Sequence, residues 1–375
     1  MVIMMETGQT VDYYKYRPLP WISKSRLQSN DFCEFNFYLG EIQQATPRGL
    51  DDEMEEKGIV GTNSHLVMAK FWEKVKEQNL VDKFMEIKLE DNPKNSQLYW
   101  AFYSVCEDLI PKEAKGVPEF MNVLSNFAEF QVMNWTAVTR MIGKNKTAYL
   151  NYWMPDGYEL FLENREQMIF GTMDVCYKNP NVAYDKHTRL IIDYKSGNVP
   201  KAIREFAGQN PFSQKLPTNK LEELHFYAWL AATSSKYEGL EEVYTCNCKG
   251  RIVLREDQQY TCQKCNAVLG FELPSNVNKE VVPKRTRAFT DVSTYKDFLI
   301  CMIFLGGDRP YVVPKTPNDG TMQNVLTKID ALRNKWAEQK DNPASWKKNL
   351  SDFVCPKCYQ AATCTEVRMR EALSE

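Results

Sequence analysis

Three short β-rich runs in the middle of the chain, set between helical patterns, constrain the fold more than any other feature. The runs YELFLE (158–163), QMIFGTMDVCYK (167–178) and TRLIIDYK (188–195) are separated by turn-forming residues. Two further runs, 297–305 and 309–315, flank a Gly-Gly-Asp tripeptide that is typical of a hairpin. The order helix, three strands, helix, two strands, helix predicts an α/β or α+β fold around one mixed sheet.

Helical patterns account for most of the remaining chain. Residues 41–60 are polar and acidic and predict a surface loop. The following segment NSHLVMAKFWEKVKEQ has an apolar stripe at helical spacing, with Asn63 or Ser64 as its N-cap. Residues 96–140 predict two or three helices interrupted by prolines, and residues 322–340 predict a long amphipathic helix.

The bulk composition argues against a membrane protein and against an exported one. Hydrophobic residues make up 43% of the 375 residues, yet no run is long and apolar enough to span a membrane. The N-terminus lacks a basic segment followed by an apolar core, so we predict no signal peptide and a cytoplasmic, reducing location. The net charge of −2 does not indicate nucleic-acid binding by itself, but it is compatible with a local basic channel.

Two aspartates and a lysine lie within or at the ends of the central runs. Asp174 falls inside the second run. Asp193 lies near the end of the third run, two residues before Lys195, so the two side chains share one face of the strand. Buried carboxylates are costly unless they are paired or bind a metal, and neighbouring strands can direct them at one Mg²⁺ or Mn²⁺ ion. One interpretation is therefore a metal-dependent hydrolytic site. The other is an ordinary ion pair at a strand end, with Asp174 in a turn.

Two helical segments carry further candidate groups. His65, in the helix before the strands, is either a nitrogen ligand of the same metal or a structural histidine. Glu223 and Tyr227 are four residues apart and share one face of the helix predicted over 221–235. That face can hold a nucleic-acid strand or the lysine, or it is a plain amphipathic surface. Glu163, in the first run, is a candidate for an acid behind the ligands.

The eleven cysteines fall into two groups and three single positions. In a reducing compartment, short-spaced cysteines indicate a metal site more often than disulfides. The first group has two close pairs around a hairpin-like segment and predicts a zinc ribbon. The second supplies four thiolates, which suffice for an iron–sulfur cluster or for zinc, and the single cysteines predict buried thiols. The first group is Cys246, Cys248, Cys262 and Cys265; the second is Cys33, Cys355, Cys358 and Cys364; the single positions are Cys106, Cys176 and Cys301.

The order of these features resembles the RecB-like branch of the PD-(D/E)xK nuclease superfamily. One cysteine before the core and three after it, spaced C-x2-C-x5-C, are similar to the iron–sulfur members of that branch. Those members include the CRISPR-associated RecB-like exonucleases and the AddB nuclease domain. The resemblance spans most of the chain, from Cys33 to Cys364. The motifs that carry it are His65, Gly171-x-x-Asp174, Asp193-Tyr194-Lys195 and Glu223-x-x-x-Tyr227.

The resemblance implies a restriction-endonuclease-like mixed sheet flanked by helices, with an inserted zinc ribbon and an iron–sulfur staple. It implies a bound Mg²⁺ or Mn²⁺ ion and a [4Fe–4S] cluster on the second cysteine group. Glu223 departs from the family, in which glutamine is usual. By the resemblance, the metal ligands are His65, Asp174, Asp193 and the Tyr194 carbonyl, the catalytic lysine is Lys195, and Glu223 and Tyr227 shape the site.

The resemblance also divides the chain. The expected segments are an N-terminal part (1–60), a nuclease core (61–240 and 276–345), an inserted zinc ribbon (241–275) and an iron–sulfur part (346–375). The cluster would join the two ends of the chain and so close a very long loop, where a crosslink removes most entropy.

The residues and the resemblance together lead to a metal-dependent DNA nuclease, expected to act as an exonuclease on single-stranded DNA or on DNA with free ends. No G-x-x-x-x-G-K-[ST] phosphate loop is present, so the expected partners are a separate helicase or CRISPR adaptation proteins. Tyr227 and Trp229 are candidates for base stacking, and Lys284, Arg285 and Arg287 form either a phosphate-binding patch or a solvated surface. The alternative is a non-catalytic nucleic-acid-binding or assembly subunit that docks through its zinc ribbon. The intact acidic pair and lysine argue against it.

Overall fold

A computed structural model of the chain describes most of it in two compact units. The first unit comprises Met1–Ala232 and Phe289–Glu375, and the second comprises Thr233–Ala288. The side chains of residues 2–4, 10–12, 52–57, 236–241 and 282–285 are outside the description. The described residues are 2–4, 10–12, 19–45, 52–180, 187–205, 210–255, 258–273, 277–350, 355, 358, 360, 361, 363 and 364.

Long helices dominate the first third of the chain, and a single long helix follows the sheet. Short 3₁₀ and π turns connect several of them. The helices are α1 (Lys24–Phe32), α2 (Glu34–Phe37), α3 (Asp52–Glu77), α4 (Leu80–Glu86), α5 (Gln97–Glu107), α6 (Pro118–Ile142), α7 (Lys146–Ala148), α8 (Lys201–Glu205), α9 (Thr218–Thr233) and α10 (Asp319–Gln339).

Within each unit the described strands pair side by side, and β1 and β2 form a short N-terminal pair. The strands are β1 (Val2–Met4), β2 (Thr10–Asp12), β3 (Gly157–Asn164), β4 (Ile169–Lys178), β5 (Arg189–Lys195), β6 (Ser235–Thr245), β7 (Arg251–Leu254), β8 (Tyr260–Cys262), β9 (Val268–Gly270), β10 (Asn278–Arg287), β11 (Phe298–Phe304) and β12 (Tyr311–Lys315).

The sheet of the first unit is mixed and has five strands in the order β12-β11-β5-β4-β3. The β3–β4, β4–β5 and β11–β12 pairs are antiparallel, whereas β5 and β11 are parallel. The structure therefore confirms the mixed α/β class and all five predicted strands. It is consistent with a restriction-endonuclease-like fold.

The turn between β11 and β12 contacts the chain that follows β5. A Cβ atom at Gly306 would lie 2.4 Å from the carbonyl oxygens of both Ser196 and Gly197, so only glycine allows this approach. Leu305 donates its backbone N–H to the Lys195 carbonyl at 2.8 Å. These contacts fix the end of β5, where Lys195 lies.

One hydrophobic cluster holds α3, α5 and α6 against β4 and β5. Its centre is aromatic: the Trp135 ring stacks on Tyr149 with centroids 3.6 Å apart, and Trp72 meets Trp153 at 5.0 Å. Replacing one such fully buried ring by alanine costs about 3–5 kcal/mol. The packing fixes the position of α3, which carries His65, relative to the sheet.

The start of α3 differs from the prediction. We expected a surface loop over 41–60 and an N-cap at Asn63 or Ser64, but the helix begins at Asp52, and residues 46–51 lie outside the described part of the chain. Ser64 is fully buried within the helix and donates its hydroxyl to the Val60 carbonyl at 2.6 Å. The acidic segment is rich in glutamate, which favours helix, and its polarity led to the wrong prediction.

Other predictions are confirmed. The helical stretch 96–140 is broken into α5 and α6, with a short 3₁₀ turn between them. Cys106, Cys176 and Cys301 are buried thiols, at most 2% exposed. Within the described residues, no helix is both long and apolar enough to cross a membrane.

The second unit is a small antiparallel sheet in the order β10-β6-β7-β8-β9. All four cysteines of the first group lie in it, at the ends of β6, β7 and β8 or in the turns beside them.

Candidate active site

Strand register brings two carboxylates of neighbouring strands face to face. The β3–β4 ladder is interrupted between Tyr158 and Leu160, and its register places Glu159 opposite Asp174. The backbone of Glu159 has a φ of +44°, a region that non-glycine residues rarely adopt. Like charges directly opposite each other destabilise a sheet, and strained backbone of this kind concentrates at functional sites. The pair has the features of a cation site.

A third carboxylate continues the row. The β4–β5 ladder ends at the Val175–Ile192 pair, and one step further along both strands Asp174 lies opposite Asp193. Asp174 accepts the backbone N–H of Tyr194 through Oδ2 at 2.7 Å, which ties the two strands together beyond the ladder. Glu159, Asp174 and Asp193 therefore form a row across β3, β4 and β5.

His65 approaches this row from α3. Its Nδ1 atom lies 3.3 Å from Glu159 Oε1 and 3.6 Å from Asp174 Oδ1. Burial disfavours the charged ring, but Asp174 and Glu159 outweigh it and raise the pKa of His65 to about 9. The ligand atoms of these three residues all lie within 4.8 Å of one another.

Burial changes the acidity of the two aspartates. It raises the pKa of Asp174, against the opposing effect of His65 and Lys195. It raises the pKa of Asp193 to about 6, with Asp174 and Glu223 adding to the shift and Lys195 opposing it. A bound divalent cation would relieve this cost, because it replaces the repulsion between carboxylates by attraction.

The row fits a hard divalent cation such as Mg²⁺ or Mn²⁺. Three carboxylates and one imidazole supply oxygen-rich ligands, and three of these four groups already converge. Asp193 lies outside that close trio because its Oδ2 atom faces Lys195 instead, at 2.6 Å. Glu159 was absent from the predicted ligands, although counting the register back from the hairpin between β3 and β4 would have indicated it.

Lys195 bridges two acids at the Asp193 end of the row. Its ammonium lies 2.6 Å from Asp193 Oδ2 and 2.9 Å from Glu223 Oε1. Burial opposes the charge, but Asp193 and Glu223 raise the pKa of Lys195, so the side chain is a cation at neutral pH. Lys195 thus shares the face of Asp193, as the strand period indicates.

Glu223 is fully buried, and four side chains bind it. Lys24 and Lys195 donate to Oε1, and Gln28 and Lys220 donate to Oε2. Burial would raise the pKa of Glu223, but the three ammonium groups hold it well below its usual range. The negative charge that this departure from glutamine adds is therefore balanced by lysines.

Tyr227 lies one turn after Glu223 and closes the site from α9. Burial, with Asp193 and Asp174, raises the pKa of Tyr227 well above its usual value, so its hydroxyl keeps its proton. A Cβ atom at Gly171 would lie 3.2 Å from Leu230 and 3.6 Å from Tyr227, which explains the glycine before Asp174: it lets α9 pack closely on β4.

Two other predicted positions point elsewhere. The Tyr194 ring is buried among the core side chains, with its hydroxyl 3.4 Å from Gln131 Nε2. Only its carbonyl is therefore left as a ligand, and that part stays a prediction. Glu163 pairs with Arg165 at 3.2 Å near the hairpin end of β3, away from the row.

The four outer cysteines line one cavity of about 100 Å³ in the first unit. Two residues that precede the last three cysteines contact α2: the Lys347 carbonyl accepts the Phe35 N–H at 3.0 Å, and Trp346 stacks on Phe37. No three of these described sulfurs come within 4.8 Å of one another. The cavity cysteines are Cys33, Cys355, Cys358 and Cys364.

The four inner cysteines converge in the second unit. All their sulfurs lie within 4.8 Å of one another, and Cys248 and Cys262 are 3.3 Å apart. Lys249 and Asn266, each one residue after a cysteine pair, have φ values of +61° and +59° and so form tight turns. Backbone N–H groups lower the pKa of Cys262 to about 6, which favours the thiolate that a metal binds. The group is Cys246, Cys248, Cys262 and Cys265.

The predicted basic patch is only partly visible. The side chains of Lys284 and Arg285 lie outside the described residues, and Arg287 is exposed on β10. Trp229, the other candidate for base stacking, is 7% exposed and therefore contributes to the core.

Comparison with known proteins gives one match. A family model described as the PD-(D/E)XK nuclease superfamily matches residues 22–365. Comparison with curated proteins gives no match, and comparison with solved structures gives none. The matched range includes the whole acidic row, Lys195, Glu223 and both cysteine groups.

Proposed function

The chain belongs to the PD-(D/E)XK nuclease superfamily, and from that premise we propose that it is a metal-dependent exonuclease that digests single-stranded DNA. Nucleic acid is the substrate that the superfamily suggests. The observation that carries the proposal is the row of Glu159, Asp174 and Asp193, which ends beside the charged Lys195. A carboxylate row with a lysine at its end suits hydrolysis of a phosphodiester.

Four side chains would hold the cation: His65, Glu159, Asp174 and Asp193. Bound Mg²⁺ or Mn²⁺ would supply a water of lowered pKa and neutralise charge on the phosphate. The Tyr194 N–H keeps the Asp174 carboxylate in place. The Tyr194 carbonyl is a further proposed ligand.

Lys195 would act on the reacting atoms. Asp193 and Glu223 hold its ammonium on the face of the row, at 2.6 and 2.9 Å. From there it can donate a hydrogen bond to the attacking water or to a phosphate oxygen as negative charge develops. Asp193 therefore serves two purposes, as metal ligand and as the partner that positions Lys195. Glu223 and Tyr227, both on α9, form one wall of the site.

The test of the exonuclease proposal is digestion of linear and circular single-stranded DNA of equal length with Mg²⁺ or Mn²⁺. We expect the linear strand to disappear and the circle to survive, because an exonuclease needs an end. If the circle is cut, the protein is an endonuclease and the assignment as an exonuclease is wrong. Preferential cutting of RNA of the same sequence would overturn the assignment of DNA as substrate. We further propose that a separate helicase or a CRISPR adaptation complex supplies the strand, in repair, recombination or adaptation.

The two cysteine groups would carry two different cofactors. The inner group has the spacing of a single zinc ion, and the outer group lines a cavity suited to a [4Fe–4S] cluster that staples the tail to α1 and α2. We keep the domain division proposed from the sequence, which is a nuclease core with an inserted ribbon and a terminal iron–sulfur part.

Metal analysis of anaerobically purified protein tests this assignment. We expect about one zinc and about four irons per chain, with visible absorbance from the cluster. Cys364→Ser should lose iron and keep zinc, and Cys265→Ser should do the reverse, so each variant controls for the other. Zinc at both groups, without iron, would contradict the cluster.

A second function has one specific observation in its favour. Four large apolar side chains of the second unit are strongly exposed: Leu254, Val268, Phe271 and Val281, at 56–69%. In a non-catalytic assembly subunit that binds through its ribbon, these side chains would be the ones that contact the partner. A wild-type protein that binds DNA but cuts neither substrate with any metal would favour this alternative.

A further inference from the structure

Glu223 is surrounded by more positive charge than it can neutralise. Its Oε1 atom accepts from Lys24 at 2.5 Å and from Lys195 at 2.9 Å, and its Oε2 atom accepts from Lys220 at 3.1 Å. Lys195 also pairs with Asp193. Glu223, with one negative charge, thus holds three ammonium groups at the edge of the acidic row.

Of the three lysines that contact Glu223, Lys24 is the one whose position is explained neither by a contact with the acidic row nor by closeness in the sequence. Lys220 lies on α9 three residues before Glu223, so its contact is local. Lys24 is 199 residues from Glu223 in the chain, yet it binds the same carboxylate oxygen as Lys195. The two ammonium nitrogens are therefore at most 5.4 Å apart, the sum of 2.5 and 2.9 Å.

The backbone holds Lys24 in this position from two sides. Ser23 caps α1 by accepting the Arg26 N–H at 3.3 Å. Ile22 pairs with the start of β4, donating to Met168 and accepting from Phe170 at 2.8 and 3.0 Å. The first turn of α1 is thereby fixed against the sheet that carries the acidic row.

The Lys24 ammonium can still reach a ligand. Its side chain is 23% exposed, while that of Glu223 is not exposed at all. An ammonium group has three donors, and Glu223 occupies one of those of Lys24. The remaining donors suit an anion that lies across Lys24 and Lys195.

We propose that Lys24 is a phosphate-binding residue of this site, held by Glu223 beside Lys195 to contact a phosphate group next to the one that is cleaved. The proposal deepens the proposed nuclease function and rests on it. Glu223 is then a positioning residue whose negative charge keeps two lysines side by side, which glutamine could not do, since it carries no charge.

Binding of a fluorescent single-stranded oligonucleotide, measured over a range of salt concentrations without added divalent cation, tests the proposal apart from cleavage. We expect Lys24→Met to weaken binding about tenfold and to lower the slope of log affinity against log salt by about 0.7, the loss of one phosphate contact. Lys24→Arg should restore both. Lys24→Gln, which keeps a donor for Glu223 without the charge, should behave like Lys24→Met and guards against a folding defect.

Lys328→Met is the matched control. Lys328 lines the same small cavity as Lys24, but its ammonium contacts two carboxylates, Asp31 at 2.7 Å and Glu222 at 2.6 Å, whereas Lys24 shares the carboxylate of Glu223 with Lys195. We expect it to keep the wild-type salt slope.

The outcomes separate this proposal from the nuclease proposal. If the wild type cuts or binds DNA and the folded Lys24 variants keep its salt slope, Lys24 is only a counter-ion of Glu223 and the inference is wrong. An equal loss of slope in Lys328→Met would overturn it as well. If the wild type neither cuts nor binds DNA, the nuclease proposal fails and this inference fails with it.

Discussion

Replacing Lys195 by methionine is expected to slow DNA cleavage about a hundred- to a thousandfold, the largest effect of any change that leaves the metal ligands in place. The reason is that the Lys195 ammonium lies 2.6 Å from Asp193, where it would donate a hydrogen bond to the attacking water or to a phosphate oxygen. The protein should remain folded, because Glu223 keeps its contacts with Lys24, Lys220 and Gln28. The measurement is the single-turnover rate on end-labelled single-stranded DNA at saturating Mg²⁺.

Lys178→Met provides a comparison on the same sheet. Lys178 ends β4, is 41% exposed and lies 3.9 Å from Asp156, away from the acidic row. Its removal should leave the rate within about twofold of the wild type, as for a weak surface ion pair. If Lys195→Met cuts within tenfold of the wild-type rate, Lys195 is a structural ion-pair partner and the assigned role is wrong.

Replacing Glu159 by glutamine is expected to weaken binding of Mn²⁺ by at least about ten- to a hundredfold, because that is already the cost of removing a group that only hydrogen-bonds a metal ligand. Glu159 lies opposite Asp174, and its backbone φ of +44° is one that non-glycine residues rarely adopt. His65 would lose its closer carboxylate, 3.3 Å away. Calorimetric titration of the metal-free protein with Mn²⁺ measures the effect, and cleavage at low Mn²⁺ should fall in parallel.

Glu163→Gln is the matched control for this substitution. Glu163 is on the same strand but pairs with Arg165 instead of facing Asp174. Its replacement should not change Mn²⁺ affinity. A loss of affinity in Glu163→Gln and none in Glu159→Gln would mean that the register of the row does not define the metal site.

The sequence predicted the parts of the site that depend on local period. Asp193 and Lys195 share a face because they are two residues apart on a strand, and Glu223 and Tyr227 share a face because they are four apart on a helix. The same local patterns predicted the five strands of the first unit. Such predictions need only the spacing of residues within one strand or helix, and not which strands and helices are neighbours.

The parts that were missed depend on how separate elements pair with one another. Glu159 belongs to the site through the register of β3 on β4, and its φ of +44° has no signature in the sequence. Lys24 belongs to it because Ile22 pairs beside β4 far along the chain. The early start of α3 was missed for another reason: polar helix formers in the 52–60 segment were taken for a loop.

The central claim is that the acidic row is a metal-dependent nuclease site, and one measurement tests it most directly. Protein freed of loosely bound divalent cations is mixed with end-labelled linear single-stranded DNA, Mn²⁺ is added back, and wild type is compared with Asp193→Asn, which keeps the shape of the side chain and removes its charge. We predict that the wild type cuts only after Mn²⁺ is added and that Asp193→Asn does not cut detectably. Cleavage by folded Asp193→Asn at the wild-type rate, or by wild type without any divalent cation, would contradict the account.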